Sequence, residues 1–174
     1  MLNILRRRAT EKKVADDLYG TITAASRRPE FYTELGVADT FDGRFDLVVL
    51  HAWLVLDALG KGKRTDLGER LIQTLLAAFD DSLRAQGAGD MSIGRRSKAM
   101  TSAMFGRIKS YGAATNDTEM AEALIRNLYR DDAAKADCAR ALTHYISASR
   151  AALEGVDLTT GSVPFVAPRT GASP

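Results

Sequence analysis

The chain has 174 residues and a formal net charge of +2, with 45% apolar and 26% charged residues. This composition is typical of one globular domain with a sizeable core, and it excludes a protein that is polyelectrolytic as a whole. The single cysteine, Cys138, excludes an internal disulfide and a cysteine-based zinc site, and favours a reducing compartment.

No segment has the pattern of a membrane span or of a cleaved leader. The most apolar stretch, FDLVVLHAWLVLDAL, is shorter than the roughly eighteen residues that a span needs, and Asp46, His51 and Asp57 interrupt it. The arginines near the start are followed by acids rather than by a secretory apolar region. We therefore expect no targeting peptide.

Apolar residues recur at helical spacing along nearly the whole chain, and no run alternates as a strand would. The first helix is predicted over residues 10–25, where Val14, Leu18 and Ile22 are spaced by four. The following helices are predicted, in chain order, in PEFYTELG and over residues 45–59, 66–84, 91–114, 118–129 and 131–153.

These elements predict an all-α fold, a single compact bundle of six to seven helices with short loops. Thr40 or Asp42 is expected to cap the third helix, and Asn116 with Glu119 resembles a capping box. Residues 1–9 are expected to form a flexible N-terminus and residues 10–154 the helical domain. Residues 155–174 are rich in turn-forming residues and are expected to be a disordered tail.

Catalytic and metal-binding motifs are missing from the sequence. The two histidines, His51 and His144, form no zinc-binding pair, and there is no P-loop, dinucleotide fingerprint or nucleophile elbow. His51 lies in an apolar helix, where a satisfied core histidine is the favoured interpretation. We therefore expect no enzyme, no cofactor, no metal and no small-molecule substrate.

The helix over residues 45–59 carries one stripe in which Asp46, Leu50, Trp53 and Asp57 are spaced by four, three and four. Two carboxylates are rarely buried without partners. Either this stripe reaches the surface and Leu50 and Trp53 form a partner-binding patch, or arginines fold over it and Trp53 belongs to the core.

The helix over residues 91–114 is the most unevenly charged element. From Arg84 to Lys109 the chain holds six basic residues and one acid, Asp90. Methionines and isoleucines fall on one side of the helix and most of the cations on the other. The candidate partner-binding residues on this helix are Arg95, Arg96, Lys98, Met100, Met104, Phe105, Arg107 and Lys109.

Three interpretations of this helix remain open. It is an amphipathic helix with a solvated basic face, in which Arg96 and Arg107 pair with Asp46, Asp80 or Asp81. Alternatively, its cations contact the phosphates of a nucleic acid or a ribosome. In the third interpretation, its methionines and cations bind a protein client.

Two long stretches resemble a known family. Residues 31–59 contain DTFDGRF followed by the Leu/His/Trp helix, and residues 75–114 contain GDMS with Gly94, Arg96, Lys98 and Met100, then FGR. Together with ALIRNLY at residues 123–129, they resemble the ubiquinol–cytochrome c chaperone family. This family comprises mitochondrial assembly factors for cytochrome b and their bacterial relatives, and the similarity covers roughly residues 31–145.

The resemblance implies an all-helical, non-enzymatic chaperone that binds newly synthesised cytochrome b and assists assembly of complex III. The mitochondrial members act on the matrix side, with a small partner protein and a ribosome contact. The short N-terminus favours a bacterial member, for which that partner and that contact stay open. We expect it to be cytoplasmic, with peripheral contact at an anionic inner membrane as a second expectation.

Two other classes are kept as alternatives. One is a nucleic-acid-binding or ribosome-associated helical domain without a dedicated client, whose phosphate contacts would weaken steeply as salt rises. The other is a haem carrier that uses His51 or His144.

Overall fold

Seven α-helices form the part of the chain that the computed structural model describes, residues 2–86 and 90–168, and no strand occurs there. The predicted all-α bundle is confirmed. Between the helices predicted over residues 66–84 and 91–114, residues 87–89 lie outside the described residues. The helices are α1 (Leu2–Ser26), α2 (Glu30–Thr33), α3 (Phe41–Lys61), α4 (Thr65–Ala85), α5 (Asp90–Ala113), α6 (Asp117–Asn127) and α7 (Ala136–Leu153), with 3₁₀ turns at Ala133–Lys135 and Leu158–Thr160.

Helix α3 is the central element of the bundle. Its apolar residues cover most of its circumference, which is the pattern of a helix surrounded by others. Leu47, Leu50 and Leu54 are fully buried. Helices α1, α4, α5 and α7 all pack on α3, while α1 pairs with α4 and α6 pairs with α7.

The start of α3 is fixed by local chemistry. Thr40 caps the helix, since its Oγ1 accepts a hydrogen bond from the Gly43 amide at 3.1 Å. A Cβ on Gly43 would lie 2.0 Å from the Ala38 carbonyl oxygen, so only glycine fits there. Asp39 and Arg44 then form an ion pair at 2.7 Å across the same turn.

The C-terminal segment, residues 155–168, is the described part of the tail for which the sequence predicted disorder. Leu158, Val163 and Phe165 are buried against the bundle, and the Arg28 guanidinium donates hydrogen bonds to the carbonyls of Phe165 and Val166. Turn-forming residues suggested disorder, but the apolar residues between them bury enough surface to hold the segment. Residues 169–174 lie outside the described residues.

The first helix begins earlier in the chain than its apolar spacing predicted. Helix α1 begins at Leu2, so residues 2–9 continue the helix that was predicted to start at residue 10. Arg7 forms ion pairs with Glu11 at 2.7 Å and with Asp66 of α4 at 3.2 Å. The second of these contacts joins this part of α1 to the neighbouring helix.

Candidate functional site

A buried ion-pair network joins α3 to α5 and to the turn after α6. The carboxylate of Asp46 has no exposed surface. Its Oδ1 lies 2.7 Å from Nε of Arg107, and its Oδ2 lies 2.8 Å from a guanidinium nitrogen of Arg130. The sequence left Asp46, Asp80 and Asp81 open as partners of Arg107, and the structure selects Asp46.

Burial dominates the electrostatics of this network. It raises the pKa of Asp46 to about 6, although both arginines favour the charged form and oppose that rise. The Arg107 guanidinium also stacks over the Phe45 ring at 5.4 Å from its centroid. The network thus joins the two stretches that carry the family resemblance, because Asp46 belongs to one and Arg107 to the other.

Leu50 and Trp53 lie in the core, which is the environment that the second interpretation of their stripe gives to Trp53. Leu50 is fully buried and Trp53 is 3% exposed. The Trp53 ring packs against Tyr111 of α5 with centroids 5.6 Å apart. Arg150 of α7 stacks over Trp53 and forms an ion pair with Asp57 at 3.3 Å. Arginines therefore fold over both ends of the stripe.

The inner face of α5 belongs to the core. Met104 and Tyr111 are fully buried, and Arg107 is occupied by Asp46. Met104 is therefore inaccessible to a partner in this conformation. Arg107, whose side chain is 15% exposed, is already paired, although the sequence placed both residues in the candidate site. Met100 is half-buried and reaches an open groove that is described below.

The outer face of α5 keeps the remaining candidates. Arg95, Lys98 and Lys109 are exposed, and Phe105 is 44% exposed. Arg96 is also exposed, but it points toward α4, where its guanidinium donates to the Gln86 side chain at 3.3 Å.

An open groove of about 770 Å³ lies where α1 to α5 meet. We call it the aromatic groove, because ring side chains from four of these helices line it. Phe45 and Phe79 pack edge to face with centroids 5.0 Å apart, and Phe41 stands at the mouth with 37% of its surface exposed. The aromatic and larger aliphatic lining residues are Tyr19, Tyr32, Phe41, Phe45, Val48, Phe79 and Met100.

Polar groups lie at the edge of the aromatic groove. Arg27, Arg44 and Asp39 are exposed there, and the Tyr32 hydroxyl donates to the Ser26 carbonyl at 3.0 Å. Of the large apolar side chains in the described residues, Phe41 and Phe105 are the two classed as exposed. Each of them marks a different surface: Phe41 the groove and Phe105 the outer face of α5.

Sequence reasoning missed most of this groove. Met100 was identified, but Tyr32, Phe41, Val48 and Arg44 were not. The one available signal was Phe41, a large apolar residue placed directly after the predicted cap rather than on the buried stripe. The contributions of α1 and α4 depend on tertiary packing, so no local pattern could reveal them.

His51 is a core residue, as its apolar helix predicted. Its Nδ1 lies 2.7 Å from the Leu47 carbonyl oxygen, and its Nε2 lies 2.8 Å from the Tyr145 hydroxyl. A carbonyl can only accept, so Nδ1 carries the proton and Nε2 accepts from Tyr145. Burial lowers the pKa of His51 to about 4, so the ring is neutral at pH 7. Both nitrogens are occupied, and this ring is not free to bind haem iron.

The described part of the chain lacks the features of two other kinds of protein. Within residues 2–86 and 90–168, no group of three His, Cys, Asp or Glu side chains is placed to hold a metal ion. In the same ranges, no helix combines the length and apolar character needed to cross a membrane.

Known proteins resemble the chain in both sequence and fold. A family model described as ubiquinol–cytochrome C chaperone matches residues 33–160. The crystal structure of the Cbp3 homolog from Brucella abortus superposes with a TM-score of 0.82 and 27% sequence identity, covering 95% of this chain and 96% of that chain. No curated protein matches significantly.

The matched region contains the Asp46 network, α5 and the aromatic groove from Thr33 onward. The match spans well over half of the chain, and the fold likeness extends over nearly all of it. The chain therefore belongs to the ubiquinol–cytochrome c chaperone family.

Proposed function

We propose that this protein is an assembly chaperone for ubiquinol–cytochrome c reductase and that its client is newly synthesised cytochrome b. Family membership and the likeness to a Cbp3 homolog support the chaperone role. Binding would take place in the cytoplasm, before the client is fully inserted. The role requires binding and release only, and no catalytic residue.

The aromatic groove is the observation that supports our choice of client-binding surface. An apolar helix docks most readily into a groove with an apolar floor. Phe45, Phe79 and Val48 supply such a floor, and Met100 adds a side chain that adapts to varied shapes. A membrane protein that has not yet reached the bilayer exposes apolar helices of this kind.

The openness of the groove supports transient binding. Phe41 and Tyr32 are partly exposed in the free protein, so the groove is largely formed before a client arrives. A shallow, half-solvated site buries less of its ligand than a closed pocket does, which favours rapid release. A chaperone must release its client, so weak binding is the useful outcome.

Site-specific photo-crosslinking tests the proposal. A photoreactive residue is placed at Phe41, Val48 or Met100, and at Glu69 and Gln73 as matched exposed control positions on α4. Cytochrome b and an unrelated membrane protein are then synthesised in extract from the native cell. We expect crosslinks to cytochrome b from the groove positions only, and they should persist when salt is raised, because apolar contacts are not screened.

Three results would count against the proposal. Equal crosslinking to both nascent chains would favour a general nascent-chain role. Crosslinks to ribosomal RNA that disappear with salt would favour the nucleic-acid alternative. Crosslinks from the α4 controls at the same yield would show that the groove is not the client surface.

A further inference from the structure

The outer face of α5 carries a straight stripe of exposed side chains. Residues 95, 98, 102, 105 and 109 are separated by three, four, three and four positions, so they lie along one side of the helix. Arg95, Lys98, Phe105 and Lys109 are all exposed. We call these four residues the cationic stripe.

The cations of the stripe have no acidic partners in the described part of the chain. No aspartate or glutamate occurs between Met91 and Asn116. None of the described ion pairs includes Arg95, Lys98 or Lys109. By contrast, the exposed lysines on α1 and at the end of α3 each hold an acid four residues away, as Lys12 does with Asp16 at 2.7 Å. The stripe therefore presents uncompensated positive charge.

Phe105 lies inside the stripe, between Lys98 and Lys109. It is 44% exposed, which makes it the more exposed of the two exposed large apolar side chains in the described part of the chain. Its neighbours on the outer face, Ser102 and Gly106, are small, so the ring projects beyond them. An aromatic ring flanked by cations on a polar helix face is the pattern of a contact with the headgroup region of a bilayer.

We propose that the cationic stripe binds the surface of an anionic bilayer, with Arg95, Lys98 and Lys109 on lipid phosphates and the Phe105 ring between headgroups. A bilayer is favoured over a single-stranded nucleic acid by shape. Sites for single-stranded nucleic acid are grooves with several stacking rings. The stripe is the convex face of one helix with a single ring, and such a face fits a plane.

The stripe and the aromatic groove are separate surfaces of the same helix. Met100 lines the groove, and Phe105 follows five residues later, which places it about 140° around the helix axis. A protein held by the stripe therefore keeps its groove free. The proposal goes beyond the client assignment and stands without it, because no cytochrome b is needed to test it.

Co-flotation of the full chain with lipid vesicles tests the proposal. One set of vesicles is pure phosphatidylcholine and the other contains about one third phosphatidylglycerol. We expect the protein to float only with the anionic set and to dissociate as salt rises. The triple variant R95Q/K98Q/K109Q should lose about fivefold in partitioning per cation, about a hundredfold in all.

Two further variants distinguish the effect of the stripe on vesicle binding from the effect of net charge. K12Q/K13Q/K61Q removes the same charge from residues that are 73%, 76% and 62% exposed but paired, and it should float like the original protein. Phe105→Ser should lower partitioning several-fold without changing its salt dependence, since the ring contributes an apolar contact.

Several results would overturn the proposal. They are no flotation with anionic vesicles, an equal loss in the paired-lysine control, or an unchanged partition coefficient in the stripe variant. Stripe-dependent binding to ribosomal RNA without binding to vesicles would assign the stripe to a nucleic acid instead.

Discussion

Arg107 keeps the buried Asp46 carboxylate from being an isolated charge. Arg107→Met should lower the free energy of unfolding by about 3 kcal/mol at pH 7, because removing one partner of a buried pair leaves the other charge poorly compensated. Urea denaturation measures this change. Arg126→Met is the matched control. Arg126 is 55% exposed and its ion pair with Glu122 is long, at 3.9 Å, so this substitution should change the free energy of unfolding little. Equal urea midpoints for the two variants would contradict the prediction.

The raised pKa of the Asp46 carboxyl group predicts that the stability of the folded protein depends on pH. Its pKa is about 6 in the folded protein and about 3.8 when unfolded, so the folded state binds more protons between these values. The stability that it contributes is fully present below about pH 4. That contribution falls by about 3 kcal/mol as pH rises through 6. The stability of the original protein minus that of Asp46→Asn should therefore decrease from about pH 4 to about pH 6.5.

Urea unfolding at several pH values measures this difference, and the carboxyl carbon shift of Asp46 should titrate with a midpoint near 6. In Arg107→Met the midpoint should move upward, because the guanidinium favours the charged form. If the stability difference between the original protein and Asp46→Asn stays constant or grows with pH, the arginines affect the pKa of Asp46 more than burial does.

A substitution of Gly43 tests how closely the Ala38 carbonyl oxygen approaches the start of α3. Gly43→Ala should destabilise the protein by about 2 kcal/mol, since the new Cβ would meet the Ala38 carbonyl oxygen at 2.0 Å and the backbone must shift. Gly106→Ala is the control on α5. Its Cβ would meet no atom within 4 Å, so it should stabilise the helix by about 0.5–1 kcal/mol. Thermal unfolding compares the two, and effects of the same sign would refute this explanation.

At the scale of elements, the C-terminal segment should contribute to stability although its composition resembles a linker. Phe165→Ala should lower the free energy of unfolding by about 3 kcal/mol, because the ring is 8% exposed and packs edge to face on His51 at 5.0 Å. Ser162→Ala, in the same segment but exposed, should have no effect. If both variants unfold at the same urea concentration, the segment does not contribute to the core.

Local sequence predicted the existence of the helices better than their ends. The Asn116 cap is present, with its side chain accepting from the Glu119 amide at 3.0 Å, because capping depends on residues three positions apart. The start of α1 was placed eight residues too late. Three consecutive arginines, at residues 6–8, interrupt the apolar spacing there, yet Arg7 contacts Asp66 of α4 in the folded chain.

The whole molecule should be needed for accumulation of its proposed client. Cells that lack this chain should contain less cytochrome b and less ubiquinol–cytochrome c reductase activity in their membranes. The original protein should restore both, whereas Phe41→Asp should not, since a carboxylate at the groove mouth opposes apolar docking. Glu69→Gln, exposed on α4, serves as the control. Unchanged reductase activity in the deletion strain would contradict the proposed role.

The sequence by itself determined the all-α class, the central position of α3 and the two stretches by which the family is recognised. These features depend on periodicity and on residues close together in the chain. It also left Trp53 with two possible environments, and in one of three interpretations it offered Asp46, Asp80 and Asp81 as examples of acids that could pair with Arg107. The tertiary structure decided between them, burying Trp53 under Arg150 and pairing Arg107 with Asp46. It alone assembled the aromatic groove and packed the C-terminal segment on the bundle. Both arrangements depend on contacts between residues far apart in the chain, which local patterns do not encode.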